Sequence, residues 1–328
     1  MPNMKGMILA AGYGERLWPL TADRTKPALP VLGKPLIGYV AEYLGQFGIK
    51  DVLVNLHHRP ESVRQALGDG RDFGVHLEYV YEPVILGTSG ALDNARDLLE
   101  GETFVVINGK IITDIDLNAA FETHRRTQAL ATLVLKKNDK RERFSIVGSE
   151  EDLVKAFGRM PDPGDASTPA PLMFTGIQIL ESRIFDYIPR GVFSHSTVDV
   201  YPQAIARGER IAAHVANGYW YELSTLQRYL DISLALLEKE GRRVYTGAGT
   251  RIDPGAKVDR AILWNDVKVA AGASLRNVVV GDGVRIPPDS KLENCVMVRA
   301  DLVSGSTPPV KAMKGEVIGD SFVVHLWQ

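Results

Sequence analysis

From Met4 to about Lys239, short apolar runs alternate with segments whose apolar residues recur at helical spacing. The runs "KGMILAA", "DVLVNL", "VHLEYV", "TFVVI" and "ALATLVL" are rich in Val, Ile and Leu and predict strands. Between the first two, Leu36, Ile37, Val40, Leu44 and Phe47 fall on one helical face. "SGALDNARDLL" and "LNAAFETHRR" each predict a further helix. Alternation of this kind predicts an α/β domain with a mainly parallel sheet covered on both faces.

From about Val244 the pattern becomes a repeat. "IDPGAKV" (252–258), "VAAGASL" (269–275) and "IPPDSKL" (286–292) align at a period of 17. Ile252, Val269 and Ile286 coincide, as do Val258, Leu275 and Leu292. Apolar residues at fixed offsets, with Gly, Pro and Asp turns between them, predict a coiled parallel sheet whose rungs bury their residues against one another. The period is one residue short of three hexapeptides. Cys295 shares a slot with Ala261 and Val278, which predicts a small packed side chain. The two patterns divide the chain into residues 1–240 and 241–328. "LEKEGRR" (237–243) reads as the charged end of a helix entering the linker.

A length of 328 residues agrees with two domains. A formal net charge of −2 argues against a nucleic-acid surface, which carries a basic excess. No apolar run approaches the roughly 20 residues that span a bilayer, and the start "MPNMKGMILAAG" lacks the layout of a signal peptide. A single cysteine excludes an intramolecular disulfide and fits a reducing cytoplasm. The histidines show no metal-ligand spacing, and the adjacent His57 and His58 read as surface or packing residues.

The candidate chemistry lies at predicted strand ends, where open α/β sheets bind ligands. The first strand runs into "LAAGYGERLWPLTADRTKPALPVLGKPLI" (9–37). Its glycines permit backbone N–H groups to approach phosphate oxygens closely. Behind Gly12 and Gly14 stand Arg16, Lys26 and Lys34, separated by Pro19, Pro27 and Pro35. Fixed cations neutralise a triphosphate, and prolines lower the cost of ordering the loop. Leu17 occupies the last glycine position of a dinucleotide fingerprint, and no Gly-Lys-Ser/Thr follows, so neither common phosphate loop fits.

This segment resembles the signature of the sugar-1-phosphate nucleotidylyltransferases, G-x-G-(T/E)-R-L-x-P-L-T followed by two K-P pairs. "EPVILGTSGAL" (82–92), "FTGIQIL" (174–180) and "GYWYELSTLQRYLD" (218–231) are similar to further motifs of that family. The resemblance implies a Rossmann-like nucleotidyltransferase domain followed by a short left-handed parallel β-helix. It implies transfer from an NTP, GTP favoured, to a sugar 1-phosphate, with Mg²⁺ as cofactor, and activity like that of a mannose-1-phosphate guanylyltransferase. It implies that Leu9, Ala10, Ala11, Gly12, Gly14, Gly87, Thr88, Gly90, Asn108 and Gly109 contact nucleotide, and that Arg16 and Lys26 act on its phosphates. Thr175, Gly176 and Trp220 would line the sugar pocket. The coil would support a homo-oligomer or pairing with an active paralogue.

Three positions depart from the family. The usual N-G-D strand end, whose aspartate binds the metal, reads Asn108-Gly109-Lys110. The second carboxylate is Glu222, followed by Ser224 in place of glycine. The F-x-E-K-P segment corresponds to "FGRMP" (157–161), with Met160 on the lysine position and Arg159 beside it. At about 4 Å and an effective dielectric near 20, one unit charge pair is worth roughly 4 kcal/mol, so Asp to Lys removes the usual metal site. Lys110 either acts as a fixed cation in catalysis, or marks a chain that binds nucleotide without turnover. Asp114 and Asp116, in "TDIDL", read as helix-capping residues.

Overall fold

The computed structural model describes residues 4–162 and 168–326. They form two compact units, Met1–Gly12 with Ile37–Trp220 and Tyr13–Leu36 with Tyr221–Gln328.

The first unit is built on a nine-stranded sheet. Its strands in chain order are β1 (Lys5–Leu9), β2 (Asp51–Leu56), β3 (His76–Tyr81), β4 (Phe104–Asn108) and β5 (Ala131–Lys137). β6 (Val147–Glu150), β7 (Leu153–Phe157), β8 (Leu172–Leu180) and β9 (Ile211–Val215) complete it. The spatial order is β3-β2-β1-β4-β8-β5-β9-β7-β6. β3, β2, β1 and β4 run parallel, as do β5 and β9. β8 enters antiparallel between β4 and β5.

Alternation along the strands fills both faces. Ile8, Val105 and Ile107 pack with α1 (Leu36–Gln46) and α3 (Leu117–Thr127). Met7, Phe104 and Val106 pack instead with α2 (Gly87–Asn94) and α4 (Tyr201–Ala206). "SGALDNARDLL" is two helices, because the chain leaves α-helical geometry at Ala95 before a short turn over Arg96–Leu99. Arg96 is buried there, bonded to Asp93 and to the Ile188 carbonyl at 2.9 Å.

The capping expectation splits. Asp116 caps α3, accepting from the Asn118 N–H at 2.9 Å. Asp114 does not cap; it accepts from the Tyr219 N–H at 2.6 Å, and a Cβ on Gly218 would lie 2.4 Å from its carboxylate.

The second unit joins residues 13–36 to α5 (Leu226–Lys239) and the coil. β10 (Val244–Thr246), β11 (Lys257–Leu263), β12 (Ser274–Val280) and β13 (Lys291–Arg299) stack in parallel. β14 (Ser321–His325) follows antiparallel to β13, with the short strand Glu316–Ile318 antiparallel on its outer side. Pairing follows the 17-residue period: Val258 meets Leu275, which meets Leu292, and Ala261, Val278 and Cys295 form one fully buried column. Arg260, Asn277 and Asn294 occupy one slot of successive rungs, and each has a φ near +50°. Asparagine tolerates this left-handed corner, and the Asn277 amide donates to the Asn294 side chain at 3.0 Å.

His124 of α3 ties the helix to the sheet through the Thr132 hydroxyl at 2.8 Å and Glu181 at 2.9 Å. Burial pushes its pKa below the ordinary 6.5, outweighing the opposing pull of Glu181. Above that value the imidazole is neutral whether the chain is folded or unfolded. Below it the unfolded chain takes up the proton first, so stability falls as pH drops under 6.5. Urea denaturation between pH 7.5 and 5.5 should therefore show a falling midpoint, and His124→Gln should lessen that fall. His214 and His58, shifted in the same direction by burial, should add to that fall.

Candidate functional site

In the first unit the ends of β1 and β4 lie side by side, with Leu9 opposite Asn108. The Gly109 N–H donates to the Leu9 carbonyl at 2.8 Å, and a Cβ at Gly109 would sit 3.0 Å from that oxygen. The Lys110 N–H turns back to the Asn108 carbonyl at 2.8 Å, so the half-buried lysine leaves the strand end through a tight turn. Gly176 has φ +82°, and a Cβ there would overlap the Asn108 amide nitrogen at 2.1 Å, which only glycine avoids.

Thr175, buried, donates its hydroxyl to the Val134 carbonyl at 2.7 Å, so that group is committed to the sheet. Its carbonyl accepts from Trp220 Nε1 at 3.0 Å, and Phe144 packs edge-on against the same indole at 5.4 Å. Leu9, Asn108, Gly109, Lys110, Thr175, Gly176 and Trp220 are thus linked in one neighbourhood. In "FGRMP", Phe157 and Gly158 line a cavity of about 720 Å³ with Phe144, Phe174 and Lys155. Arg159 and Met160 lie exposed beyond it.

Two residues that sequence reasoning passed over organise the rest. Asn55 accepts from the Ala10 N–H at 2.6 Å and donates to Glu82 at 2.6 Å. The other oxygen of Glu82 accepts from the Leu86 N–H at 3.2 Å. Both side chains are buried. Burial pushes the Glu82 carboxyl up, and the hydrogen bonds from Asn55 and Leu86 partly offset this. Their signal in the sequence was a polar residue in the apolar run "DVLVNL" and an acid just ahead of the glycine segment.

Leu86 leads into α2, where Gly87 has φ +78° and a Cβ would stand 2.4 Å from the Ser194 carbonyl. That carbonyl accepts from the N–H groups of Ser89 and Gly90 at 3.1 and 3.3 Å, and His195 Nδ1 accepts from Thr88 N–H at 3.4 Å. The N–H groups of Thr88, Ser89 and Gly90 are therefore occupied by the chain itself.

The second unit holds the remaining loop residues. Gly14, at φ +68°, packs so closely that a Cβ would meet the Cβ of Lys26 at 2.9 Å. Arg16 lies in a 3₁₀ turn over Glu15–Leu17, and Lys26 opens another over Lys26–Ala28. Lys34 pairs with Val31 in a two-stranded hairpin. Ala11 is half-buried and Gly12 exposed, at the end of the first unit's leading segment. Glu222 is buried, and its carbonyl accepts from Arg228 Nε at 2.8 Å.

The residues present do not fit the family's two-carboxylate magnesium site. An ammonium stands at the end of β4, and magnesium requires oxygen ligands in near-octahedral array. Among the described residues no group of three His, Cys, Asp or Glu side chains is placed to hold a metal ion. None of the described helices is long and apolar enough to cross a membrane.

The profile of the nucleotidyl transferase family matches residues 5–239. The chain belongs to that family. It is 29% identical over 300 residues to a mannose-1-phosphate guanylyltransferase of Mycobacterium tuberculosis, covering 82% of each chain. It is 34% identical over 233 residues to an N-acetylmuramate alpha-1-phosphate uridylyltransferase of Neisseria meningitidis, covering 69% of this chain and 95% of the relative. Among solved structures, HddC from Yersinia pseudotuberculosis complexed with GMP-PN shares the fold, with a TM-score of 0.62 and 21% identity. That match covers 71% of this chain and 99% of HddC. As a family member the chain is a nucleotidyltransferase by class, with Lys110 at its β4 end.

Gly87→Ala should disturb this nucleotidyltransferase twice over. An alanine at positive φ costs about 1–2 kcal/mol, and its methyl displaces the Ser194 carbonyl that closes the α2 terminus. Calorimetry should show nucleotide binding weakened about tenfold, a loss of about 1.4 kcal/mol. Gly101→Ala, at φ +103° with open space around the added Cβ, should lose stability while nucleotide affinity stays unchanged.

Proposed function

We propose that the chain catalyses the transfer of a nucleotidyl group from an NTP to a sugar 1-phosphate, releasing pyrophosphate. The specific reading is guanylyl transfer to mannose 1-phosphate, in line with the Mycobacterium relative, with GTP as donor. The observation that carries it is the buried Asn55–Glu82 bridge. This bridge fixes Ala10, at the entry to the glycine loop, and Leu86, at the entry to "LGTSGAL", in one frame.

In this reading a sugar phosphate oxygen attacks the α-phosphorus in line, the new P–O bond forms as the bond to the β-phosphate oxygen breaks, and pyrophosphate leaves. No protein nucleophile takes part, so catalysis rests on positioning and on stabilising charge. Arg16 and Lys26 hold the triphosphate. Leu9 to Gly12, Gly14, Asn108 and Gly109 give backbone contacts to the nucleotide; Gly87, Thr88 and Gly90 meet base or ribose. Thr175, Gly176 and Trp220 form the wall against the sugar. Lys110 is a fixed cation beside the phosphates, at the position of the aspartate in the N-G-D motif that the sequence resembles. Magnesium would come with the nucleotide's own phosphates, and Glu222 would be a candidate ligand to it from the protein. The protein works in the cytoplasm, as a homo-oligomer through the coil.

Pyrophosphate release is measured with Mg²⁺, each NTP and a panel of sugar 1-phosphates. Turnover with GTP and mannose 1-phosphate supports the full reading, and a different productive pair corrects its specificity. Lys110→Ala should lower kcat by about 10²-fold, the scale of removing one transition-state charge contact. Lys110→Asp should regain activity with a steeper dependence on Mg²⁺. No product with any pair, alongside measurable nucleotide binding, overturns the enzymatic reading and leaves a regulatory nucleotide-binding subunit working with an active paralogue.

A further inference from the structure

Residues 13–36 carry Gly14, Arg16 and Lys26, and they are fastened to the coil at three places within the second unit. Trp18, 5% exposed, meets Phe322 of β14 edge to face, with ring centroids 5.1 Å apart. The Pro30 carbonyl accepts from the Tyr229 hydroxyl, which itself accepts from Trp264 Nε1 at 3.0 Å. Between these two points lies Arg24. Its Nη2 donates to Asp282 at 2.7 Å, and its guanidinium carbon is 5.0 Å from the centre of the Trp264 ring.

Asp282 is braced from behind. Its other oxygen accepts from the Asn265 N–H at 2.9 Å, and the Asn265 side chain accepts from the Ala248 N–H at 2.9 Å. Residues 248, 265 and 282 are spaced by the 17-residue period, so one corner of three successive rungs ends in a carboxylate aimed at Arg24. The guanidinium also binds Asp23 at 2.8 and 2.9 Å, so it faces two carboxylates while stacked on an indole. A surface ion pair with long, free side chains contributes little. This one differs, because its acceptor is held by a backbone donor and its cation by an aromatic face.

Arg24 lies two residues from Lys26. Thr25 between them is buried, Pro27 after them is buried, and the Lys26 stem rests against Gly14. That stretch has little freedom of its own, so its placement follows the Arg24 anchor. We propose that Arg24 is a positioning residue through which the coil, by way of Asp282 and Trp264, sets the loop that carries Lys26 and so the affinity for nucleotide phosphates. The proposal rests on reading residues 12–26 as the phosphate loop. By reciprocity, nucleotide binding must in turn stiffen the 248–265–282 corner, and any ligand or subunit contact at that corner changes nucleotide affinity.

The test uses the full chain with Asp282→Asn, which keeps volume and removes charge, and Arg24→Met, which keeps the alkyl stem. GTP and UTP binding is measured by calorimetry with Mg²⁺, and KM and kcat are measured for both substrates. Expected are a Kd and KM for the nucleotide about tenfold higher, within the usual range of coupling between sites. The KM for the sugar 1-phosphate should stay unchanged, and Asp282→Glu should recover part of the nucleotide affinity. Hydrogen exchange gives the readout that a merely structural role would not move. Nucleotide should slow exchange at the Ala248 and Asn265 amides in the wild type and fail to do so in Asp282→Asn. Variants that melt earlier yet keep wild-type nucleotide affinity and exchange protection overturn the proposal. A wild type that binds nucleotide without turnover refutes the transferase reading alone, and the positioning claim is then judged by Kd. A wild type that binds no nucleoside triphosphate overturns both.

Discussion

Two buried polar side chains at the carboxyl ends of apolar strands hold the candidate site together. Removing an amide and a carboxyl from water is costly unless their hydrogen-bonding groups find partners. Asn55 and Glu82 find one another, and use what remains on the Ala10 and Leu86 N–H groups. The cost of burial thereby becomes a constraint on geometry: the exit of β1 and the entry to α2 cannot shift apart without orphaning a buried group. Burial also raises the Glu82 pKa, and the hydrogen bonds from Asn55 and Leu86 oppose that rise.

The glycines around this frame are needed for a second reason. Gly87 and Gly176 stand where another chain segment approaches to a distance no Cβ tolerates, and Gly109 lies in a tight contact of 3.0 Å. The contact at Gly109 draws the end of β4 onto β1, that at Gly176 lets the Asn108 side chain lie against β8, and that at Gly87 seats α2 against the Ser194 carbonyl. Charge is then supplied from few sources, and the identity of each matters. At the end of β4 that source is the ammonium of Lys110, half-buried where the strand turns.

Much of the fold was legible because its signals are periodic. Strand and helix periods located the elements of the first unit, and the 17-residue repeat gave the register of the coil down to the Ala261–Val278–Cys295 column. Breaks in a period were less legible. The interruption at Ala95 depends on Arg96 being drawn inward to Asp93 and the Ile188 carbonyl, contacts distant in sequence or hidden within the helix pattern. Asp114 and Asp116 look alike in "TDIDL", and only the approach of Tyr219 gives them different partners.

The sequence by itself determined which residue types are available: the glycine loop, its cations, and a lysine in place of an aspartate at the end of β4. It determined the rungs of the coil too, because stacking identical slots at one register buries the Ala261, Val278 and Cys295 column. Tertiary structure alone decided what those residues face. Asn55 and Glu82 lie 27 positions apart, Arg24 and Asp282 lie 258 apart, and no local pattern joins either pair. Hydrogen bonds and ion pairs act over a few ångströms, so their partners exist only once the chain has folded and brought those positions side by side.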